Sequence, residues 1–169
     1  MGIRHLYVIL LALILMGCTP SQTGGFSIYL LADEIPASEL SKVDLHALEL
    51  QGEPLLSIDD VITYWKGTHE IEVTAEAYER IEQLYSLPVG VDGLPCVVCM
   101  GRDPVYAGAF WTLASSLIYE GVVIYQHFDR DAHVIRIELG YPTSAAFRGE
   151  DPRSDPRILQ SLEAAGKLK

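Results

Sequence analysis

One strongly apolar run near the start of the chain divides it into two unequal parts. The run extends from Leu6 to Met16, follows a short head that carries Arg4, and is followed by Gly17. A basic head, an apolar core and a small residue are the three parts of a secretory signal peptide. The core is about half as long as the roughly 20 residues that a membrane-spanning helix needs. We therefore predict that residues 1–17 are a signal peptide and that the rest of the chain folds separately.

A cysteine stands directly after this leader, in the sequence Leu15-Met16-Gly17-Cys18. This arrangement resembles the lipobox of bacterial lipoproteins, in which the cysteine is acylated, the leader is removed and the cysteine becomes the first residue. The resemblance implies lipid attachment at Cys18. It also implies anchoring through acyl chains on the extracytoplasmic side of a cell membrane or outer membrane. An ordinary signal peptide with an incidental cysteine is the alternative, although free cysteines are uncommon in secreted chains.

The rest of the chain is long enough for one domain with a hydrophobic core. Residues 18–25 are small and polar and predict a flexible tether, which leaves 26–169 as a single domain. The chain carries a net charge of −11 and has a pI near 4.7. Without residues 1–17, which hold Arg4 and no acidic residue, the charge is −12. This acidity argues against binding to nucleic acid and against adhesion to anionic lipid through a basic patch.

The apolar pattern predicts an α+β domain with a mostly antiparallel sheet and two or three helices packed on one face. Period-2 alternation or continuous apolar runs predict strands at residues 26–31, 44–50, 69–73, 94–100, 105–111, 121–128 and 133–139. Ser57 and Asp60 have the spacing of a capping box and predict a short helix that ends at Gly67. Thr74 is predicted to cap a helix over 75–84, and Asp155 with Pro156 to begin a last helix that ends before Gly166.

Cys96 and Cys99 form a CxxC motif, which invites a redox interpretation. Within a strand, however, the two side chains point to opposite faces and their Cα atoms lie roughly 10 Å apart. A disulfide needs these atoms within about 7 Å. We therefore predict two buried structural thiols, and a thiol oxidoreductase that uses both cysteines remains the alternative.

Other residue patterns do not reach the level of a catalytic or metal site. No histidine pair has the spacing of metal ligands, and Ser115-Ser116 does not lie in a GxSxG motif. Residues 90–93 have neither the spacing nor the lysine of a phosphate-binding loop. The sequence therefore favours a protein without catalytic residues, metal or cofactor. The histidines that follow the leader are His46, His69, His127 and His133.

Aromatic side chains alternate with very small ones between Val105 and Leu113. Tyrosine and tryptophan at a partly exposed edge are preferred in protein interfaces. Tyr106 and Trp111 are therefore predicted partner contacts. The alternative is that Phe110 belongs to the core while Tyr106 and Trp111 cover the sheet.

The order of predicted elements over residues 26–125 resembles the periplasmic head of SecD, a subunit of the preprotein translocase. The likeness includes a helix that begins at a threonine, followed by the strand–turn–strand sequence GLPCVVCMGRDPVYAGAF at 93–110. It implies a non-catalytic domain that contacts other proteins outside the membrane.

These observations predict a membrane-anchored extracytoplasmic lipoprotein whose domain binds another envelope protein, with a connection to protein export implied by the resemblance. Two alternatives remain. One is an envelope enzyme, either the thiol oxidoreductase or a hydrolase whose site the sequence does not locate. The other is a small-ligand-sensing domain with a pocket beneath residues 140–154.

Overall fold

The computed structural model describes residues 24–86, 90–126 and 133–169 of the chain. Eight strands in these ranges form one sheet in the order β2-β1-β5-β6-β7-β8-β4-β3. Neighbouring strands are antiparallel except β6 and β7, which are parallel. The predicted α+β class with a mostly antiparallel sheet is confirmed. The strands are β1 (Phe26–Leu30), β2 (Leu56–Ser57), β3 (Val61–Trp65), β4 (Glu70–Val73), β5 (Leu94–Met100), β6 (Asp103–Phe110), β7 (Tyr119–Gln126) and β8 (Val134–Tyr141).

Several sequence predictions fall on residues that the structure does not describe. These are the signal peptide at 1–17, the lipid attachment site at Cys18, most of the tether, and residues 127 and 128 of the strand predicted at 121–128. They remain predictions from the sequence.

Two α-helices pack on the same face of the sheet, as predicted. They are α1 (Ala75–Ser86) and α2 (Pro156–Ala164). The hydroxyl of Thr74 accepts the backbone N–H of Ala77 at 3.3 Å, and the carboxylate of Asp155 accepts that of Arg157 at 2.8 Å. Both predicted caps are thus formed, which satisfies donors at each helix start. The helices and this face of the sheet share one core, in which α1 and α2 contribute Ala77, Tyr78, Ile81, Ile158 and Leu162.

The opposite face of the sheet is covered without α-helices in the described ranges. A 3-10 helix at Ala37–Lys42 and a shorter one at Leu45–Ala47 lie over it, and their region contributes Ala37, Leu40 and Leu48 to a second core. The strand predicted at 44–50 is therefore wrong. The reason for the error is local. The Asp44 carboxylate accepts a hydrogen bond from the His46 backbone N–H at 2.9 Å, which turns the chain.

The helix predicted to run from Ser57 to Gly67 is also wrong beyond its first turn. The Asp60 carboxylate does accept hydrogen bonds from the backbone N–H and the hydroxyl of Ser57, each at 2.8 Å. This closes one 3-10 turn at Ile58–Asp60, after which the chain enters β3. The β-branched and aromatic residues of β3 favour a strand. The C-terminal residues pair with the outer edge of β3, where the Tyr64 N–H donates to the Lys167 carbonyl at 2.7 Å.

The parallel pair β6 and β7 requires the chain to cross back over the sheet between them. Such crossovers usually contain a dozen or more residues and a helix. Here residues 111–118 make the connection as an irregular segment. They contact the face opposite α1 and α2, since Trp111 belongs to the second core. We call residues 111–118 the crossover.

Candidate functional site: an inverted crossover

The crossover carries most of the exposed large apolar side chains in the described chain. Leu113 is 52% exposed, Leu117 is 43% exposed and Ile118 is 74% exposed. Val91, in the loop before β5, is 52% exposed and touches the crossover through its backbone. The only other exposed large apolar residue among those described is Ile62 on β3. We call Val91, Leu113, Leu117 and Ile118 the crossover surface.

A buried serine holds this segment in place. Ser115 lies in the middle of the crossover and is 7% exposed. Its hydroxyl donates to the Val91 carbonyl at 2.6 Å and accepts the Leu117 backbone N–H at 3.2 Å. The polar side chain thus faces inward while its larger apolar neighbours face outward. This is the reverse of the arrangement that hydrophobic burial alone would produce.

Three aromatic rings form the floor beneath the crossover. The Trp111 ring stacks on Tyr119, with ring centroids 4.8 Å apart, and lies 5.7 Å from the ring of Tyr141. The Tyr141 hydroxyl donates to the Ser115 carbonyl at 2.8 Å. The crossover is therefore attached from below both by stacking and by hydrogen bonds, which fixes the positions of its exposed residues.

Two glycines make room for this floor. A Cβ atom on Gly93 would lie 2.4 Å from the Trp111 ring, and Gly93 has a φ of +76° that favours glycine. A Cβ on Gly121 would lie 2.6 Å from the Tyr119 hydroxyl oxygen. Both rings can lie close to the backbone only because these two side chains are absent.

Tyr106 and Trp111, the predicted partner contacts, are core residues in this structure. Tyr106 is 6% exposed and Trp111 is 3% exposed, so neither presents a surface to a partner. The burial of both side chains agrees with the alternative in which Tyr106 and Trp111 cover the sheet. The Trp111 indole N–H is buried and has no hydrogen-bond partner in the described part of the chain. The positions that do face outward are those that follow Trp111.

A depression of about 300 Å³ lies beside Ile118. It is at the lower limit of the volumes typical of ligand pockets, and so it suits one side chain of a partner better than a whole small molecule. Its walls come from the 3-10 helix at Ala37–Lys42, from the start of β7 and from Arg148. The lining residues are Ala37, Ser38, Ser41, Ile118, Tyr119, Glu120, Gly121 and Arg148.

Charge is absent along the crossover and appears only around it. No residue from Pro104 to Tyr119 is charged. In sequence, Asp103 and Glu120 flank this uncharged run, and the exposed Asp92 follows Val91. Arg148 lies 3.9 Å from Glu120, but an exposed pair at this distance is weak.

Cys96 and Cys99 lie on opposite faces of β5, as the strand prediction requires. Cys96 belongs to the core beneath the helices and Cys99 to the second core. Both are free and fully buried. Burial raises the pKa of both thiols, that of Cys99 to about 12, which disfavours the reactive thiolate. This geometry does not suit a redox pair.

A buried histidine and tyrosine form a pair in the helix-covered core. The Tyr64 hydroxyl and His69 Nδ1 are 2.9 Å apart. Burial lowers the pKa of His69, the nearby Arg153 cation lowers it further, and Asp151 opposes this. Burial also raises the pKa of Tyr64. The imidazole is therefore neutral and is hydrogen-bonded to the tyrosine hydroxyl within the fold.

A second depression of about 310 Å³ lies beside residues 140–154. This is where the alternative of a small-ligand-sensing domain places its pocket. Arg136 and Arg153 line it. Arg136 pairs with Glu70 and Glu138, and Arg153 pairs with Asp151 at 2.7 Å. Because carboxylates already neutralise both cations, this site offers little binding energy to an anion.

Other chemistries find little support in the described residues. No group of three or more His, Cys, Asp or Glu among them is arranged to hold a metal ion. The hydroxyl of Ser115, which lies in no GxSxG motif, fixes the crossover. None of the helices that the structure describes has both the length and the apolar character of a membrane span.

The sequence contains a signal for the crossover that no motif captures. Leu113, Leu117 and Ile118 follow a strand, have a spacing that an amphipathic helix would also give, and are accompanied by no charge. Periodicity assigns such residues to the core by default. Comparison with protein families, with curated proteins and with solved structures gives no match for this chain.

Proposed function

We propose that this protein is a lipid-anchored, non-catalytic domain on the extracytoplasmic side of the membrane that binds an envelope protein through the crossover surface. The observation that carries the proposal is the exposure of Leu113, Leu117 and Ile118 around the buried Ser115. Fully burying a leucine or isoleucine side chain contributes about 1.5–3 kcal/mol. Because these side chains are exposed, the fold does not gain much of this burial free energy. Binding to a partner could gain it instead.

The composition of the surface supports a protein contact. The centres of protein interfaces are apolar and depleted of charge, and the rims are polar. The crossover surface has an uncharged centre, with Asp92 and Glu120 beside it. The SecD-like elements that remain after the corrections at 44–50 and 57–67 are the helix capped by Thr74 and the strand–turn–strand at 93–110. They support a partner that works in protein export.

The binding part of the proposal is tested by photo-crosslinking in native membranes. A crosslinker at Ala114, which is exposed, should capture a specific protein. Capture should fall at least tenfold in Ile118→Asp, because a charge placed within an apolar contact must lose its hydration. Ile62→Asp is the matched control, since Ile62 is 50% exposed on a different element. Equal capture by both variants would refute this role of the crossover surface.

The anchor is tested separately by feeding cells an alkyne-labelled fatty acid. The label should enter the wild-type protein and should be absent from Cys18→Ser. Cys96→Ser should retain it, because Cys96 is buried in the folded domain. Label that persists in Cys18→Ser would show that the acyl chain is attached elsewhere.

A further inference from the structure

We infer that the partner's docking face is apolar at its centre and basic at its rim. This inference rests on the proposed function and specifies the chemistry of the partner at the same surface. It follows from the shape of the crossover surface and from the charges around it.

The crossover surface extends along the side of the domain. Val91 and Leu113 lie at the end where β5 begins and β6 ends, since Leu94 pairs with Phe110. Ile118 lies toward the other end, because Gly108 of β6 is beside Val122 of β7 in the parallel pair. The separation corresponds to about five residues of strand, or roughly 15 Å. A surface of this length accommodates a segment of a protein, such as three turns of a helix.

The charge of the chain argues against dipping into a bilayer. The net charge is −12 without residues 1–17, and this acidity opposes contact with anionic lipid.

The rim decides between a second copy of this chain and a different protein. It carries Asp92, Glu120 and one cation, Arg148, which lies 3.9 Å from Glu120 and lines the depression beside Ile118. The charges sum to −1, so a symmetric dimer through this surface would bring two rims of like net charge together. Like charges across an interface disfavour association, whereas opposite charges accelerate it and set specificity. Lysine or arginine residues on the partner would meet these carboxylates. An apolar side chain from the partner would fill the depression beside Ile118.

Two designed helical peptides test this chemistry directly. They share one leucine face and differ in carrying lysine or glutamate on the remaining positions. Binding to the full-length protein in lipid nanodiscs is measured by fluorescence anisotropy. We expect the leucine–lysine peptide to bind at least tenfold more tightly than the leucine–glutamate peptide. The charge reversals Asp92→Lys and Glu120→Lys together should remove that preference, while Asp44→Lys with Glu163→Lys should not.

The decisive variant is Leu117→Asp combined with Ile118→Asp. It makes the protein more acidic, so a purely electrostatic attraction would bind the lysine peptide more tightly. Docking on the crossover surface instead predicts at least tenfold weaker binding. Tighter or unchanged binding in this variant would overturn the inference.

Two further outcomes would also overturn it. One is dimerisation of the wild-type protein that the Leu117 and Ile118 changes abolish, which would make a second copy the occupant. The other is binding of protein-free vesicles that the same changes abolish, which would make the bilayer the occupant. If crosslinking depends on Ile118 but the peptides show no preference for lysine, the proposed function stands and only the basic rim is refuted.

Discussion

Two connections lie on opposite faces of this sheet and treat apolar residues in opposite ways. Helix α1 leads from β4 toward β5 and buries Ala77, Tyr78 and Ile81 against the sheet. The crossover joins β6 to β7, buries Trp111 and Ser115, and exposes three large apolar side chains. The apolar side chains of α1 stabilise the fold, whereas these three exposed ones contribute little to it. Folding therefore does not explain the exposed set, and the proposed partner binding would.

The largest expected effect contrasts a core residue of α1 with a residue of the crossover surface. Ile81→Ala should reduce the free energy of unfolding by about 2–5 kcal/mol, because Ile81 is fully buried and leaves a cavity. Leu117→Ala should change it by less than about 0.5 kcal/mol, as exposed positions do. Urea unfolding followed by circular dichroism measures both. Similar losses in the two variants would mean that the crossover is part of the core.

A smaller but clear effect is expected at the floor of the crossover. Gly93→Ala should destabilise the protein by about 2–4 kcal/mol, since the new methyl group meets the Trp111 ring and the backbone has a positive φ. Gly52→Ala is the control, because a Cβ there would meet nothing within 4 Å. Thermal unfolding compares the two. Trp111 fluorescence should shift in Gly93→Ala alone if the ring is displaced.

The third effect separates the two neighbouring serines of the crossover. Ser115→Ala should cost about 1–3 kcal/mol, because it leaves the Val91 carbonyl and the Leu117 N–H without their partner. Ser116→Ala should be nearly neutral, since Ser116 is exposed. Hydrogen exchange at Leu117 should accelerate in Ser115→Ala. Unchanged exchange there would show that the crossover is held by the aromatic floor alone.

Most of the sheet is predictable because its strands have a clear period and clear ends. The pattern predicts a strand at 94–100 and β5 occurs at Leu94–Met100, while α1 and α2 begin after their predicted caps. The errors arise where two signals compete. Ser57 and Asp60 form their predicted contact, but one capped turn does not propagate a helix against the β-branched residues that come after it.

The candidate site is much less predictable, and the reason is physical. Whether Leu113 or Trp111 reaches the surface depends on the path of the crossover. That path depends on distant partners, namely Val91 for Ser115 and Ser115 for Tyr141. A periodic pattern reports which residues share a face and cannot report which way an irregular segment turns that face. Sequence reasoning therefore predicts contacts at aromatic residues that are buried in the structure, and it does not identify the exposed residues that follow them.

The smallest expected effect is a difference in pH dependence between the polar groups buried on the two faces of the sheet. His69 lies beside Tyr64 in the helix-covered core, and its pKa is lowered by burial and by Arg153. The unfolded chain therefore binds a proton more readily than the folded one. The contribution of neutral His69 to stability is complete above pH 6.5 and is lost as pH falls below that value. Ser115 does not titrate, so the crossover side lacks this dependence.

Urea unfolding at about pH 7.5 and about pH 5.5 measures the difference. The wild-type protein and Ser115→Ala should lose the same amount of stability between these two values. His69→Asn should lose less, since asparagine does not titrate and tolerates the positive φ of 53° at this position. His46→Asn, at an exposed position, should behave like the wild type. An unchanged pH dependence in His69→Asn would contradict the assignment of His69 as a neutral buried group.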